Sequence, residues 1–296
     1  MIRIVDSKYI DKLRFDSLLK AHYGNPFCLE NYFSPLLEHW SLVVLDDYAG
    51  VLIVPFKKKM FWSWVYTPQF FRASYWLGTW SAEEQAQALD VIQSKFSFGS
   101  LNIGACTARN NELFHQQISP DKYDSNNYNT LCKRMLKKAD GQAFRFTKEF
   151  QKEEFLRFLS EELGAKISDF KGDSIGYFRK LIDSLILSKC LHFEGAVEGG
   201  VLVGGILVVE LPGQHLYLKG TASLEAKKMG VYYLLMHRAI LRAVDQGSVF
   251  DFGGSRIEGV AQFNRNFGAN DVFYGNITWG KTPFWFGFIK KILKKQ

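Results

Sequence analysis

Cysteine is scarce and scattered. The four residues, Cys28, Cys106, Cys132 and Cys190, stand far apart with no C-x-x-C pair. That spacing argues against zinc-site and thioredoxin-like chemistry, and free thiols fit a reducing compartment. Proline is rare as well, with 7 in 296 residues. No uninterrupted apolar run approaches the roughly 20 residues that a membrane-spanning helix needs. The opening stretch MIRIVDSKYIDKLRFDSLLK is charged throughout and has no apolar core of the secretory-signal kind. The histidines form no cluster with metal-ligand spacing, so no metal is expected. Internal repeats and low-complexity segments are missing too. The expectation is a soluble protein of the cytoplasm.

Apolar and aromatic residues are abundant. Hydrophobic residues make up 47% and charged ones 23%, with 26 Phe, 13 Tyr and 7 Trp. Such a chain buries a sizeable core without a metal or disulfide. Its length allows one large domain or two of roughly 150 residues. The net charge of +7 favours anionic partners: nucleic acid, phosphorylated substrates or acidic lipid.

Two halves share one grammar. In the first, a helical stretch over about 8–40 leads into the hairpin WSLVVLDDYAGVLIVPFKKK. A third strand follows in FWSWVYTPQFF, then a helix whose Ser81 and Glu84 form a capping box, then the short strand SLNIGA. In the second half, two amphipathic helices precede a strand meander over 190–223 with turns at VEGG and LPGQ. A long helix closes at Gly247, then come the strand SVFDFG, the helical turns VAQFNRNFG and the strand VFYGNITWG. The order predicts an α+β fold around mostly antiparallel sheets. A boundary near 125 separates domains 1–125 and 126–296, the second opening on a basic helix with Lys133, Arg134, Lys137 and Lys138.

The run from Tyr217 to Ala269, with the meander before it, resembles the C-terminal half of FemAB-like proteins. These are peptidoglycan-bridge aminoacyl transferases and their relatives in the GNAT acyltransferase superfamily. VLIVPFKKKMFWSWVYTPQF is similar to their N-terminal half, where a P-F-x-K strand precedes a Y-x-P-x-F strand. The resemblance implies two tandem GNAT-like domains, each a twisted, mostly antiparallel mixed sheet flanked by helices, sharing a cleft. It implies acyl transfer onto an amine. The donor is an aminoacyl-tRNA in the peptidoglycan members, with an amine of a cell-wall precursor as acceptor, and an acyl-CoA in other relatives.

Two positions depart from the family pattern. Many members carry Lys directly after the first Phe of the segment matching FNRNFG, a cation for the reacting carbonyl; here the position is Asn264. An amide donates a hydrogen bond to an oxyanion but brings no charge. The loop that holds the CoA pyrophosphate in acetyl-CoA enzymes matches KKMGVY. There Lys227 replaces Arg or Gln, Gly230 is in register, and Tyr232 replaces a small residue, which disfavours CoA.

The residues expected to matter follow. Asn264, Arg265 and Lys219 are the candidate oxyanion stabilisers. Tyr66, Gln69, Tyr217, Asp251, Ser255, Arg256 and Phe263 are the candidate substrate contacts, and Lys227 and Gly230 the candidate cofactor loop. Each has a plainer reading. Asp251 is a strand-end carboxylate, Ser255 an N-cap, Arg256 a solvated charge, and Phe263 with Phe267 an i, i+4 core pair. Strand alternation puts Tyr217 and Lys219 on one face. His237 reads as a satisfied core histidine. The basic helix is a solvated face or a phosphate contact. The terminal FWFGFIKKILKKQ is a packed helix or a dock on an acidic membrane, peripheral to its inner face. No bound cofactor is expected. The rival function is a non-catalytic binding protein that keeps the fold, or an acetyl-CoA-dependent N-acetyltransferase.

Overall fold

The structure is a computed structural model that describes residues 1–104, 111–142, 144–163, 173–254 and 257–280. Ser255, Arg256, Cys106 and the terminal aromatic-lysine segment lie outside the described residues.

The elements begin with β1 (Ile2–Asp6), α1 (Lys12–Ala21), α2 (Glu30–Phe33), β2 (His39–Leu45), β3 (Gly50–Lys59), β4 (Trp62–Val65), β5 (Trp76–Gly78), α3 (Ala82–Lys95) and β6 (Gly99–Ile103). Next come β7 (Asn111–Ile118), α4 (Thr130–Asp140), β8 (Arg145–Thr147), α5 (Lys152–Leu163), α6 (Asp173–Leu187), β9 (Leu191–Glu198), β10 (Val201–Leu211) and β11 (Gln214–Ala222). The last are α7 (Leu224–Lys228), α8 (Val231–Asp245), β12 (Val249–Asp251), α9 (Glu258–Arg265) and β13 (Asn270–Trp279).

By its contacts the chain divides into two units. The first comprises Met1–Ala21, Leu37–Leu113 and Tyr274–Gln296, the second His22–Leu36 and Phe114–Phe273. The fold is α+β, and the strands of the two units repeat one pattern. In the first, β1, β2, β3 and β4 form an antiparallel run, β6 lies parallel to β4, and β13 antiparallel to β6. In the second, β8, β9, β10 and β11 form the antiparallel run, β12 lies parallel to β11, and β7 antiparallel to β12. A helical crossover joins each parallel pair, α3 in one case and α7–α8 in the other.

Local chemistry explains the crossover helices. Ser81 and Glu84 close the expected capping box, Glu84 N donating to Ser81 Oγ and Ser81 N to Glu84 Oε2. Ala88, Leu89 and Ile92 of α3 pack on Val43, Leu52, Val54, Leu101 and Ile103. Helix α8 repeats the arrangement, setting Val231, Leu235, Met236, Ala239, Ile240 and Ala243 against Ile206, Val208 and Phe250. Gly247 takes φ +64°, the left-handed exit that its place after α8 requires.

The helical stretch expected over 8–40 is broken. Helix α1 ends at Ala21, a 3-10 turn opens on Pro26, and α2 is 4 residues long. Pro26 and Pro35 lack the N–H that a continuous helix needs. Strands β1, β5, β7 and β8 appear where no strand is expected from the sequence.

Buried thiols follow from this packing. Cys28, Cys132 and Cys190 are free and buried. Burial pushes the Cys28 and Cys132 thiols up to about 12, so neither is a thiolate nucleophile near neutrality. No helix among the described residues is long and apolar enough to cross a membrane.

Candidate functional site

The ladder between β10 and β11 slips once. Leu207 pairs with Lys219 but its neighbour Val208 pairs with Tyr217, so Leu218 is the extra residue of a β-bulge. Adjacent residues of β10 point to opposite faces. Their partners therefore do as well, and Tyr217 and Lys219 lie on opposite faces. The alternation that joins them in the sequence fails at the bulge. Tyr217 belongs to the α8 face with Val208, while half-buried Lys219 shares the other face with Leu207.

The parallel partner also stops early. Strand β12 pairs with β11 only from Gln214–Val249 to Leu216–Asp251, whereas β11 runs on to Ala222. Bulge and early stop coincide within a few residues, so β11 loses its β12 neighbour where its register on β10 shifts. On the α8 face at this point stand two tyrosines. The hydroxyls of Tyr217 and Tyr232 are 2.7 Å apart and lie 3.2 and 3.4 Å from Gly220 O. Burial raises the Tyr217 phenol well above its ordinary pKa, and burial pushes Tyr232 up to about 12. Both are neutral O–H donors near neutrality.

Tyr232 lies in the first turn of α8, after Gly230. Gly230 takes φ +87°, and a Cβ there would stand 2.2 Å from Met135 O in α4. Its glycine is required by the close approach of α4, apart from any ligand. Helix α8 has no side-chain cap at its N-terminus. Lys227 Nζ donates to Thr221 Oγ1 at 3.0 Å and lies 3.9 Å from Glu162 Oε2, so its ammonium is held within the unit.

A second polar group sits around α9. Asn264, 3% exposed, donates through Nδ2 to Gln116 Oε1 at 2.9 Å. Gln116, 0% exposed, donates through Nε2 to Asp271 Oδ1 at 3.0 Å. Arg265 closes the chain, donating to Asp271 Oδ2 at 2.9 Å and to Glu258 Oε1 at 3.0 Å. The hydrogen bond to Asp271 leads in raising the Arg265 pKa. Burial works upward on Asp271, but the Arg265 and Gln116 hydrogen bonds outweigh it and hold the carboxyl low. The guanidinium lies over Phe114 at 5.5 Å, a cation–π contact. Two carboxylates thus offset the charge of Arg265.

Asp251 is fully buried. Oδ1 accepts from Gly253 N at 2.9 Å, Oδ2 from Gln214 Nε2 at 2.8 Å, and His115 Nδ1 lies 3.4 Å from Oδ1. Gly253 and Gly254 follow at φ +79° and +83°, a left-handed exit from β12. Phe263 stacks on Tyr232 with centroids 5.3 Å apart and meets Tyr233 and Phe267 edge-on. Tyr66 and Gln69 belong to the first unit, just after β4, where Lys57 Nζ lies 5.0 Å over the Tyr66 ring. His237 Nδ1 is bonded to Tyr128 Oη at 3.0 Å, consistent with a satisfied core histidine. In α4, Lys133, Arg134, Lys137 and Lys138 are all exposed while Cys132 and Ala139 are buried.

Asn264 and Arg265 therefore share one network, and Tyr217 and Phe263 both reach Tyr232. Lys219 faces away from the tyrosine pair. Gln116, Asp271 and Tyr232 escape the sequence reading as polar partners. The signal for Gln116 lies in FHQQI, whose central polar residues look like a loop but form part of β7, with His115 and Gln116 buried.

Residues 128–265, just under half of the chain, match the family model described as an acetyltransferase (GNAT) domain. No curated protein sequence matches. Among solved structures, FemX superposes with a TM-score of 0.63 at 13% identity, covering 94% of this chain and 97% of its own. L-PGS from Bacillus licheniformis gives 0.55 at 14% identity, covering 92% and 93%. A tandem GNAT protein from the clavulanic acid biosynthesis pathway gives 0.52 at 13% identity, covering 96% and 100%. At these identities the likeness is one of fold, and it spans both units.

Proposed function

This chain carries a GNAT acetyltransferase domain and has the FemAB-like tandem-GNAT fold, and from that premise we propose that it transfers an acyl group to the amine of a cell-envelope precursor. One observation carries the reading. Within the matched region, the bulge at Leu218 and the early end of β12 open the strand pairing beside two neutral tyrosine hydroxyls. An acyl carbonyl laid against β11 there meets two desolvated hydroxyls, one of which turns its O–H to it from Gly220 O.

In this reading the amine nitrogen attacks the acyl carbon and a C–N bond forms. The carbonyl oxygen becomes a tetrahedral oxyanion, stabilised by donors on β11 and α8. Collapse expels the donor's alkoxide, which takes a proton from the Tyr217–Tyr232 pair, whereas a thiolate leaves as the anion. The proton lost by the amine passes into solvent, which restores the tyrosine that gave one up. Asn264, Arg265 and Asp251 act at one remove, fixing α9 and the end of β12 through Gln116 and Gln214. Phe263 presses on Tyr232.

The donor that fits best is an aminoacyl ester of tRNA. Support comes from the pyrophosphate loop: Lys227 is engaged with Thr221, Gly230 is packed on Met135, and Tyr232 on Tyr217. The four exposed cations of α4 provide a phosphate contact. An acyl-CoA donor is the second reading, favoured by the acetyltransferase description of the matched domain and by the uncapped N-terminus of α8.

Purified protein incubated with aminoacyl-tRNAs and with acyl-CoAs, each with amine acceptors, decides the matter by mass spectrometry of the products. Acylated amine from the tRNA panel, lowered about tenfold or more in Tyr232→Phe, is the expected result. Product from acyl-CoA alone reverses the donor. No product from either, with a ligand still bound, moves the chain to the non-catalytic class.

A further inference from the structure

Strand β3 changes character along its length. Gly50 to Pro55 is buried, and Lys57, Lys58 and Lys59 then carry the strand out to a two-residue turn, Met60 and Phe61. The register, Lys59 opposite Trp62, confirms the tight hairpin. Met60 is 78% exposed, Phe61 94% and Trp62 45%. Phe61 is the most exposed large apolar side chain among the described residues.

Two local rules are broken here together. Two-residue hairpin turns select Gly, Asn or Asp because they need positive φ. Met60 occupies that place at φ +53° with an unbranched apolar side chain. A hairpin tip in water also selects polar residues, and this one presents a thioether and a phenyl ring. Neither choice serves the turn, and breaks of local rules cluster at functional positions.

The charge of the hairpin and its flanking sequence has one sign. No Asp or Glu occurs between Asp47 and Glu83. Lys57 is half-buried over Tyr66, while Lys58 and Lys59 are exposed. At about 3.3 Å per strand residue, both ammonium groups fall within roughly 10 Å of the tip. That is the layout of an interfacial anchor, with apolar groups about 5–10 Å deep and cations level with the headgroups.

We propose that the β3–β4 hairpin docks on an anionic lipid bilayer, Met60 and Phe61 entering the interface while Lys58 and Lys59 meet acidic headgroups. The tip is convex and its apolar pair has no donor or acceptor for base edges. A bilayer accommodates both features, whereas single-stranded nucleic acid is bound in grooves lined for stacking. This inference stands apart from the transfer reaction and holds for either acyl donor.

The test uses the full chain and sedimentation with vesicles of phosphatidylcholine alone or with 30% phosphatidylglycerol. Wild type is expected to bind the anionic vesicles, less at high salt, and hardly to bind the neutral ones. Met60→Gly combined with Phe61→Asn puts glycine at the positive-φ place of the turn, so the melting temperature holds or rises while vesicle binding falls about tenfold. Lys58→Gln with Lys59→Gln lowers binding by about 30-fold at low salt. Wild-type binding by both variants overturns the proposal. So does loss of tRNA retention on filters with vesicle binding intact, which would make the hairpin a nucleic-acid contact.

Discussion

Asn264 and Gln116 lie 148 residues apart in sequence and share a 2.9 Å hydrogen bond from amide to amide, with both side chains almost wholly buried. The bond joins α9 to β7, and through Asp271 and Arg265 it reaches the start of β13. It gives Asn264 a structural duty at the position where the family resemblance implies a catalytic cation.

That duty has a measurable cost. Gln116→Leu leaves the buried Asn264 amide without its partner and removes one of the two hydrogen bonds to Asp271, which keeps Arg265. The expected loss is about 1–3 kcal/mol in urea unfolding. Asn264→Ala should cost a similar amount, and the double variant less than the sum, because the two residues are coupled. Additive losses would show that the bond contributes nothing.

Gly230 and Gly247 separate backbone strain from packing. Both have positive φ, but a Cβ at Gly230 meets Met135 O at 2.2 Å while one at Gly247 meets nothing within 4 Å. Gly247→Ala should cost about 1–2 kcal/mol, the left-handed penalty alone. Gly230→Ala should cost about 2–5 kcal/mol, the same penalty plus overpacking against α4. Equal losses in urea unfolding would contradict the close approach of the two helices.

Stability should depend on pH through three histidines of the second unit. Desolvation by burial holds His192, His215 and His237 below the ordinary histidine pKa. Glu210 opposes the shift at His192 and His215, and Arg238 adds to it at His237. The unfolded chain binds these protons more tightly than the folded one. Their contribution is therefore fully present above about pH 6.5 and is lost as pH falls through the folded pKa values. The melting temperature should decline below about pH 6.5, and less steeply in His237→Phe. An unchanged slope in that variant would remove His237 from the account.

The exposed face of α4 is open to charge reversal. Replacing Lys133, Arg134, Lys137 and Lys138 by Glu should lower affinity for mixed tRNA at least about tenfold, and reduce its salt dependence, whatever the tRNA sequence. The melting temperature should move little, since surface charges contribute little to stability. Unaltered filter binding would leave the face as solvated charge.

Local patterns were legible where neighbours in sequence decide the structure. The Ser81–Glu84 box, the meander turns at Gly199, Gly200 and Gly213, the C-terminal glycine of α8 and the Phe263–Phe267 pair all depend on residues a few positions apart. The bulge at Leu218 was not legible. A single extra residue inverts the face of everything beyond it, and nothing in YLKGTA marks the slip. Strand β7 was hidden for a related reason: His115 and Gln116 are polar but buried, because their partners come from β12, α9 and β13. Tyr217 and Phe263 were expected from the sequence as candidate contacts. Their meeting at Tyr232 required the fold.

The interleaved strands set the order in which the units can mature on the ribosome. The first unit begins at Met1, yet its sheet lacks β13 until residues 274–279 are made. At about 5–20 residues per second, the intervening 114–273 take roughly 8–32 s to synthesise. Through that interval β6 awaits its antiparallel neighbour, while the second unit already has β7, its own closing strand, in hand. The nascent chain thus holds every strand of the β7–β12 set before β6 receives its last neighbour.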